Sequence, residues 1–403
     1  MTKRVMLVYG TRPEAIKVAP VIRELERSPQ LEPIVVLTGQ HRSMLEQVNI
    51  DFDIRADHNL EIMRTGQSLH DITARSLEGV AQLIDAERPD VVLVQGDTTS
   101  ALSAALAAFY AQVSVAHLEA GLRTDDIYSP YPEEMNRRLT SRLASLHLAP
   151  TPASRDNLLR ENVDRGSIIT TGNTVIDALL WTVRQDRPFS DPRLQAIERS
   201  GRPLLLVTAH RRESWGDPMR RVAQALVEIS WRLPELHIVL PAHRNPVVRD
   251  VLLPVLSTGR NILVLEPLPY PDFTRLISIS SIVVTDSGGV QEEAPSLGKP
   301  VLVMRDSTER PEGIQAGTAR LVGTSPKIIV DAVVSLARDK SAYHAMAKAI
   351  NPYGDGCAAR RTVDALNFFF KQGPAPQNFK PSAGTVDNRT LPDGGSAQLP
   401  TAS

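Results

Sequence analysis

The feature that most constrains the fold is an alternation, repeated twice along 403 residues, of short apolar runs with longer amphipathic stretches. The amphipathic stretches, such as 65–86, 98–110, 217–231 and 327–338, predict crossover helices. The runs are rich in Val, Ile and Leu and predict strands buried on both faces of parallel sheets: 5–9, 34–38, 91–95, 113–118, 204–208, 237–240, 262–265, 282–285 and 301–304. We therefore predict an α/β protein built from two doubly wound parallel sheets.

Proline and glycine content indicates where the chain divides. Residues 184–203 have the composition of a loop between domains. We therefore predict an N-terminal Rossmann-like domain over residues 1–185 and a C-terminal one over residues 186–352. From residue 373 onward the chain is rich in Pro, Gly, Ser and Thr and lacks hydrophobic periodicity, which predicts a disordered tail over residues 373–403.

The charges are balanced, with 45 Lys and Arg residues against 46 Asp and Glu residues. No net field would attract nucleic acid or an anionic membrane, which favours a small-molecule partner. The single cysteine, Cys357, excludes an internal disulfide framework and fits a reducing compartment. The first apolar run is too short for a signal peptide, and no stretch approaches the roughly 20 apolar residues of a membrane span. We therefore predict a cytoplasmic protein with no nucleic-acid or membrane partner.

Sequence motifs for metals and nicotinamide are missing. The chain has no HExxH pattern and no pair of histidines four residues apart with a carboxylate nearby. No GxGxxG follows a predicted strand, and Tyr343 is followed four residues later by Ala347, where a short-chain reductase needs a lysine. We predict no metal and no cofactor.

Polar, glycine-rich segments follow the predicted strands in both halves. Ligands of open parallel sheets bind beyond the carboxyl ends of the strands, so these segments are the candidates for a site. In the first half they read GTRPEAIK, TGQH, GDTTS and EAGLRT, and in the second AHRRES, AHRNP, DSGGVQEE and RDSTERPE. Two sheets facing a central cleft would bring these segments together.

The segment DSGGVQEE predicts an anion site at the start of a helix. Ser287, Gly288 and Gly289 begin this helix, so their backbone N–H groups and the helix dipole can hold a diphosphate. Glu293 lies one turn further, where it can accept hydrogen bonds from two ribose hydroxyls, whereas Glu292 points about 100° away. An ordinary glycine-rich helix start with dipole-balancing acids remains the alternative.

The segment GTRPEAIK places two cations near the start of another predicted helix. Pro13 suits the first helical position, and Arg12 on the preceding loop offers five donors to a phosphate. Lys17 lies near the positive end of the helix, where a cation is mildly unfavourable, which hints at an anionic ligand. A plain surface role for Lys17 stays open.

Three carboxylates are candidates for proton transfer: Asp97, Glu119 and, further along, Glu133. Mutual repulsion in such a cluster can hold one member protonated and another ionised, as acid and base catalysis requires. Glu134 is interpreted as a neighbour without a role. Asp97 could instead cap the helix that starts near Thr98.

His210 directly follows a predicted strand in AHRRES, and its imidazole can change charge near neutral pH. Arg211 and Arg212 follow it. Its position after a strand, rather than on a helix face, favours a functional role over a structural one.

Taken in order from residue 3 to about residue 370, these segments strongly resemble the non-hydrolysing UDP-N-acetylglucosamine 2-epimerase family. The resemblance rests on GTRPEAIK, QGDTTSALS, HLEAGLRT, YSPYPEEMNRR, TAHRRES, TDSGGVQEEAPSLGKPVLVMRDSTERPE and NPYGDG. It implies a glycosyltransferase B-type fold of two Rossmann-like domains with the active site between them, and a homodimer. It also implies that a last helix, within 353–372, crosses back to the first domain.

The resemblance implies roles residue by residue. Asp97, Glu119 and Glu133 correspond to the catalytic carboxylates, and His210 to the catalytic histidine. The UDP-binding set corresponds to Arg12, Lys17, Phe273, Ser287, Gly288, Gly289, Glu293 and Arg310. In some members a second UDP-N-acetylglucosamine acts as an activator, and its contacts correspond to Gln40, His41, Gln67, Arg211 and His243. Ser214 stands where many relatives have Asn.

The implied reaction is reversible inversion at C2 of UDP-N-acetylglucosamine. The C2 proton is not next to a carbonyl, so loss of UDP from C1 must acidify it, giving 2-acetamidoglucal, to which UDP is added back after protonation from the other face. A related UDP-2-acetamido sugar could be the substrate. A B-type glycosyltransferase, which needs an acceptor, and a UDP-sugar sensor without activity are the rival interpretations.

Overall fold

The computed structural model describes residues 2–39, 42–64, 66–124, 126–211 and 215–381, with the side chains of residues 42–44 left out. The predicted activator contacts Gln40 and His41 therefore lie outside the described residues, as do Arg212, Ser214 and the tail beyond residue 381. Over the described residues the chain divides into two compact units: the first runs as far as Ala178 and includes Tyr353–Lys380, and the second is Leu179–Pro352 with Pro381.

The first unit is built on a parallel sheet in the order β3-β2-β1-β4-β5-β6-β7. Its strands are β1 (Lys3–Tyr9), β2 (Leu31–Leu37), β3 (His58–Asn59), β4 (Val91–Gln95), β5 (Ser114–Leu118), β6 (Leu146–Ala149) and β7 (Ile168–Thr170). Its helices are α1 (Arg12–Glu26), α2 (Arg42–Asp51), α3 (Leu69–Glu87), α4 (Thr99–Tyr110), α5 (Glu133–Leu143) and α6 (Pro152–Arg160), and α7 (Thr174–Arg184) leads into the second unit.

The second unit is built on a parallel sheet in the order β10-β9-β8-β11-β12-β13. Its strands are β8 (Leu204–Thr208), β9 (His237–Pro241), β10 (Ile262–Leu265), β11 (Ile282–Thr285), β12 (Val301–Val303) and β13 (Ala319–Leu321). Its helices are α8 (Pro192–Ser200), α9 (Asp217–Arg232), α10 (Pro246–Leu256), α11 (Tyr270–Ile279), α12 (Gly288–Ser296), α13 (Pro311–Gln315), α14 (Pro326–Arg338) and α15 (Lys340–Ala347). The final helix, α16 (Ala358–Phe369), belongs to the first unit.

The predicted α/β class with two parallel sheets is confirmed, and each predicted strand is present. Every residue of β4 and β8 is buried, as their continuous apolar sequences require in a sheet covered by helices on both faces. Full burial of each Val, Leu or Ile side chain there contributes about 1.5–3 kcal/mol. The strands β3, β6, β7 and β13 were not predicted, because runs of two to four residues show no periodicity.

Hydrogen bonds to a buried carboxylate and to the last strand of the sheet hold the C-terminal segment of the first unit. Asp177 of α7 accepts the backbone N–H groups of Ala358 and Ala359, at 3.2 and 2.8 Å, and so caps the start of α16. Further on, the backbone N–H of Phe379 donates to Thr170 O at 2.7 Å, and the Phe379 side chain is buried. The prediction of a disordered tail from residue 373 is therefore wrong at Phe379, whose single aromatic ring among small polar residues gave no periodic signal.

Within the described part of the chain, no helix combines the length and apolarity needed to cross a membrane.

Candidate active site

In the first unit, the loops after the neighbouring strands β1, β4 and β5 meet at one edge of the sheet. Glu119 follows β5, and its carboxylate is surrounded by donors. Lys17 Nζ from α1 lies 2.5 Å from Oε1, and Gln95 Nε2 at the end of β4 donates to Oε2 at 2.5 Å. Asn173 Nδ2 reaches Oε1 at 3.4 Å. The side chains of the Lys17–Glu119 ion pair are only 16% and 8% exposed, so Lys17 is not a plain surface residue.

The backbone after β5 adopts an unusual turn that places Glu119. Glu119 itself has φ +65°, a left-handed conformation that costs a non-glycine residue about 1–3 kcal/mol. Two residues later, Gly121 has φ +93°, and a Cβ added there would lie 2.2 Å from the backbone oxygen of Ser154. The sequence EAG therefore contains one residue held under strain and one position that only glycine can occupy.

Asp97 lies on the loop after β4, in a different environment. Arg137 Nη2 from α5 lies 2.5 Å from Asp97 Oδ2. Burial raises the pKa of Asp97, and Glu119 adds to the rise, while Arg137 and Lys17 oppose it. The interpretation of Asp97 as a helix cap is wrong, because Thr98 is the N-cap of α4 and its Oγ1 accepts the Ala101 N–H at 3.1 Å.

Glu133, the third predicted carboxylate, is the first residue of α5 and is half-buried. The same helix reaches the Asp97 loop twice. Asn136 Nδ2 donates to Asp97 O at 2.9 Å, and Arg137 binds the Asp97 side chain. The structure thus packs the helix that starts at Glu133 against the loop that carries Asp97.

Glu14 is a buried carboxylate that the sequence analysis missed. It accepts the backbone N–H groups of Gly10 and Thr11 at 3.0 and 2.7 Å and the Thr98 hydroxyl at 2.6 Å. It therefore ties the GTRPE loop to the GDTTS loop, although burial raises its pKa against these hydrogen bonds. The T-x-x-E pattern of a capping box was the signal available in the sequence. The same helix start corrects Arg12, which is the first residue of α1 rather than part of the loop.

In the second unit, His210 follows β8 and is paired with a buried acid, Asp286, which follows the adjacent strand β11. Nδ1 of His210 lies 3.1 Å from Asp286 Oδ1, and the imidazole is 42% exposed. Asp286 Oδ2 accepts the backbone N–H groups of His210 and Arg211 at 2.7 and 2.8 Å. Burial opposes ionisation of Asp286, but the His210 side chain and these N–H groups outweigh it and lower the pKa. Sequence reasoning named no role for Asp286, since a partner 76 residues away gives no local signal.

The predicted anion site is at the start of α12. A Cβ added to Gly288 would lie 3.6 Å from Arg211 Nη2 and 3.8 Å from Arg310 Nη2, so two guanidinium groups converge beside the helix start. Ser287 is the N-cap. The convergence of cations and helix N–H groups suits a phosphate.

The acidic residues of this segment have separate contacts. Glu292, interpreted as pointing away, forms an ion pair with Arg310. Glu293 is buried, and its Oε1 accepts the Tyr270 hydroxyl at 3.3 Å. Phe273, on α11, is half-buried against the core of the sheet. The structure therefore places Phe273 and Glu293 on neighbouring elements, with Tyr270 of α11 joining them.

The predicted activator contacts that are described fall in two places. In the second unit the His243 ring stacks near His210, with centroids 6.3 Å apart and planes inclined by 18°. Arg211, as above, lies beside Gly288. In the first unit Gln67 belongs to the turn before α3, where its Oε1 accepts the Arg64 N–H at 3.1 Å. Among the residues that the structure describes, no group of three or more His, Cys, Asp or Glu side chains is arranged to hold a metal ion.

The fold and these residues define an α/β enzyme with two Rossmann-like units. One unit carries carboxylates that are ion-paired with Lys17 and Arg137 at a sheet edge, and the other carries a cationic helix start. A family model described as UDP-N-acetylglucosamine 2-epimerase matches residues 23–367. The chain belongs to this family.

Individual relatives agree over nearly the whole chain. A Yersinia pestis protein named UDP-N-acetylglucosamine 2-epimerase is 51% identical over 370 residues, which is 90% of this chain and 98% of that protein. A crystal structure from Listeria monocytogenes has a TM-score of 0.89 at 46% identity and covers 94% of this chain and 100% of its own. The Neisseria meningitidis UDP-GlcNAc 2-epimerase, solved bound to UDP-GlcNAc, has a TM-score of 0.82 at 44% identity and covers 90% and 99%.

Proposed function

We propose that this chain interconverts UDP-N-acetylglucosamine and UDP-N-acetylmannosamine by elimination and re-addition of UDP through 2-acetamidoglucal. Family membership supports the overall reaction, and the Neisseria relative, at 44% identity, was solved with UDP-GlcNAc bound. One observation carries the mechanism. Asp97 sits where burial raises its pKa, whereas Glu119 is ion-paired with Lys17, and carboxylates in such divergent environments serve as acid and base.

The proposed reaction moves one proton and one leaving group. A carboxylate takes the proton from C2, the C2–H electron pair forms the C1=C2 double bond, and the C1–O pair leaves on the β-phosphate of UDP. For the return, a proton is delivered to C2 from the opposite face and a UDP oxygen re-forms the bond to C1. The two faces call for two proton carriers, which the set Asp97, Glu119 and Glu133 supplies.

We assign UDP binding to the predicted C-terminal domain, residues 186–352, and proton transfer to the predicted N-terminal domain, residues 1–185. Charge supports this division. The departing diphosphate gains negative charge, which Arg310 and the N–H groups at the start of α12 stabilise without rearrangement. His210, fixed by Asp286, adds a donor at the same edge. Arg12 and Lys17 of the first unit, and Phe273 and Glu293 of the second, complete the proposed substrate contacts.

Solvent deuterium tests the proton step. With UDP-N-acetylglucosamine as the only substrate and no acceptor, the epimerised product formed in heavy water should carry deuterium at C2, because the carboxylate exchanges its proton with solvent. Free UDP and 2-acetamidoglucal should appear in small amounts. A product that keeps protium at C2 would refute elimination, and turnover only with an added acceptor would favour a glycosyltransferase.

Charge-deleting variants test the three carboxylates. Asp97→Asn, Glu119→Gln and Glu133→Gln keep the side-chain shape, and each should lower turnover about 10²- to 10⁴-fold, the usual range for a lost acid or base. UDP affinity should persist. A variant with near-normal turnover would remove that residue from the proton chemistry.

We also propose that the chain forms a homodimer through an exposed apolar face of the first unit. Met135 and Leu139 lie four residues apart on α5, Tyr131 lies just before the helix, and the three side chains are 37%, 46% and 64% exposed. Phe109 and Tyr110, at the end of the neighbouring α4, are 56% and 68% exposed. Such a patch on a globular domain is typical of an interface.

Light scattering after size exclusion tests this interface. Leu139→Lys should convert the dimer to a monomer, because it introduces an unpaired charge into the apolar face. Ile328→Lys is the matched control, since Ile328 is 52% exposed on α14 in the second unit. A wild-type monomer, or a Leu139→Lys dimer, would count against the proposal.

We further propose that a second UDP-sugar activates the enzyme through Gln67, Arg211 and His243, with Gln40 and His41. The stacking of His243 near His210 supports a link between activator and catalytic groups. The rate should depend sigmoidally on UDP-N-acetylglucosamine, and UDP-N-acetylmannosamine alone should react little. Hyperbolic kinetics in both directions would argue against an activator site.

A further inference from the structure

Glu134 is a fully buried carboxylate next to the proposed acid–base groups. Its Oε2 accepts the Thr124 N–H at 3.1 Å, and Arg138 Nε donates to Oε1 at 2.7 Å. Arg137 Nη1 lies 3.3 Å from Oε2. A carboxylate without solvent contact is stable only when it is paired in this way, so Glu134 is a fixed anchor inside α5 rather than an uninvolved neighbour.

Arg137 joins this anchor to Asp97. Its side chain is only 8% exposed, and while Nη1 faces Glu134, Nη2 lies 2.5 Å from Asp97 Oδ2. The planar guanidinium can bridge two carboxylates in fixed directions, which the single ammonium of a lysine cannot do. Asn136, the preceding residue, holds the Asp97 backbone oxygen at 2.9 Å.

We propose that Arg137, braced by the buried Glu134, is a positioning residue that fixes Asp97 and keeps this carboxylate able to give up and recover a proton during epimerisation. The inference rests on the proposed function. It assigns roles to two residues of the segment PEEMNRR outside the carboxylate set.

The electrostatics around Asp97 support this role. The charged or titratable groups that act on Asp97 or contact its loop include Arg137 from α5, Glu119 after β5, Lys17 and Glu14 from α1, and His117 from β5. Burial and then Glu119 raise the pKa of Asp97, and Arg137 is the largest opposing influence. His117, whose pKa burial lowers to about 3, is neutral and holds Gly96 O. Lys17 opposes burial as well, but less than Arg137.

The pH dependence of kcat/KM tests the role. Arg137→Met removes the charge but keeps a side chain of similar length. We expect the limb of the pH–rate profile that reports the ionisation of Asp97 to move upward by about 1–3 pH units. At pH 7, kcat should fall about 10-fold or more, with KM changed less than about 3-fold, because the loss falls on the chemical step. Arg137→Lys keeps the charge but loses the planar guanidinium that bridges the two carboxylates, and it should shift this limb less.

Two further variants distinguish a positioning role of Arg137 from a general effect on the fold. Arg142→Met removes an exposed arginine of the same helix and should leave both kcat and the pH profile unchanged. Glu134→Gln should loosen the bracing and lower kcat without raising the limb, since it removes a negative charge. Movement of the limb in Arg142→Met, or a fixed limb in both folded Arg137 variants, would overturn the proposal.

A direct measurement keeps this inference distinct from the proposed function. The carboxyl signal of Asp97 in ¹³C-labelled protein, assigned by its loss in Asp97→Asn, should titrate at higher pH in Arg137→Lys than in wild type, whether or not the protein epimerises any sugar. An unchanged titration would refute the coupling, whereas a shifted titration in a protein without epimerase activity would refute only the reaction. If neither Arg137 variant folds, Arg137 serves stability alone and the proposal fails.

Discussion

The start of α16 should be sensitive to pH through Asp177. This carboxylate is buried, and burial raises its pKa to about 7 despite hydrogen bonds from Ala359 and Ala358, with the nearby Asp355 adding to the rise. Asp355 is itself ionised across neutral pH, because its pairing with Arg361 outweighs burial and lowers its pKa. Asp177 is therefore the group of this cap that titrates near neutrality.

The direction and the size of the pH effect on stability follow from the difference between the folded and unfolded pKa values of Asp177. The folded-state pKa lies above the ordinary value of 3.8, so the folded state binds the extra proton between about pH 4 and pH 7. The stabilisation is complete below pH 3.8 and is lost as the pH rises through 7. A shift of about 3 units corresponds to at most about 4 kcal/mol, since one unit is worth about 1.4 kcal/mol.

Hydrogen exchange measured by mass spectrometry can follow this cap locally. After correction for intrinsic rates, peptides that cover residues 353–370 should lose protection between pH 5 and pH 8 in the wild type. Asp177→Asn cannot ionise, so its protection should be nearly independent of pH. Asp364→Asn is the control, because Asp364 is half-exposed on the same helix and should leave the wild-type pH dependence intact.

Constant wild-type protection from pH 5 to pH 8 would refute the buried-carboxylate reasoning. An equal loss of protection in Asp177→Asn would place the titrating group elsewhere.

Three further predictions concern the site. Glu293→Ala and Arg310→Ala should each weaken UDP binding by roughly 1.5–3 kcal/mol, the scale of a lost charge-assisted hydrogen bond, and unchanged affinity by calorimetry in both would remove the assignment. Asp286→Asn should lower turnover about 10²-fold by releasing its histidine partner, with the fold intact by circular dichroism, and full activity would deny the pairing a role. Gly121→Ala should cost about 2–4 kcal/mol in urea unfolding, because its Cβ would meet the Ser154 backbone oxygen, and an unchanged midpoint would contradict that clash.

The fold class could be predicted, and the candidate residues could be named, because their signals are local. Continuous apolar runs marked the central strands, and the polar segments that follow them marked the sheet edges. The convergence of Arg211 and Arg310 beside Gly288 agrees with an anion site read from DSGGVQEE alone. The predicted starts of helices were less accurate. The structure begins α4 at Thr99, where the sequence predicted residue 98, and α1 at Arg12, which the sequence placed on the preceding loop. Capping depends on side-chain geometry that composition does not fix.

The sequence by itself determined the two sheets, the order of the loops and the chemical types available at their ends, since periodicity and turn chemistry act over a few residues. Only the tertiary structure decided which of those groups meet. Asp286 reaches His210 across 76 residues, and Arg137 reaches Asp97 across 40, because adjacent parallel strands and a packed helix bring distant segments to one edge. Burial, and with it the raised pKa of Asp97, arises from the same packing, so no local pattern could show it.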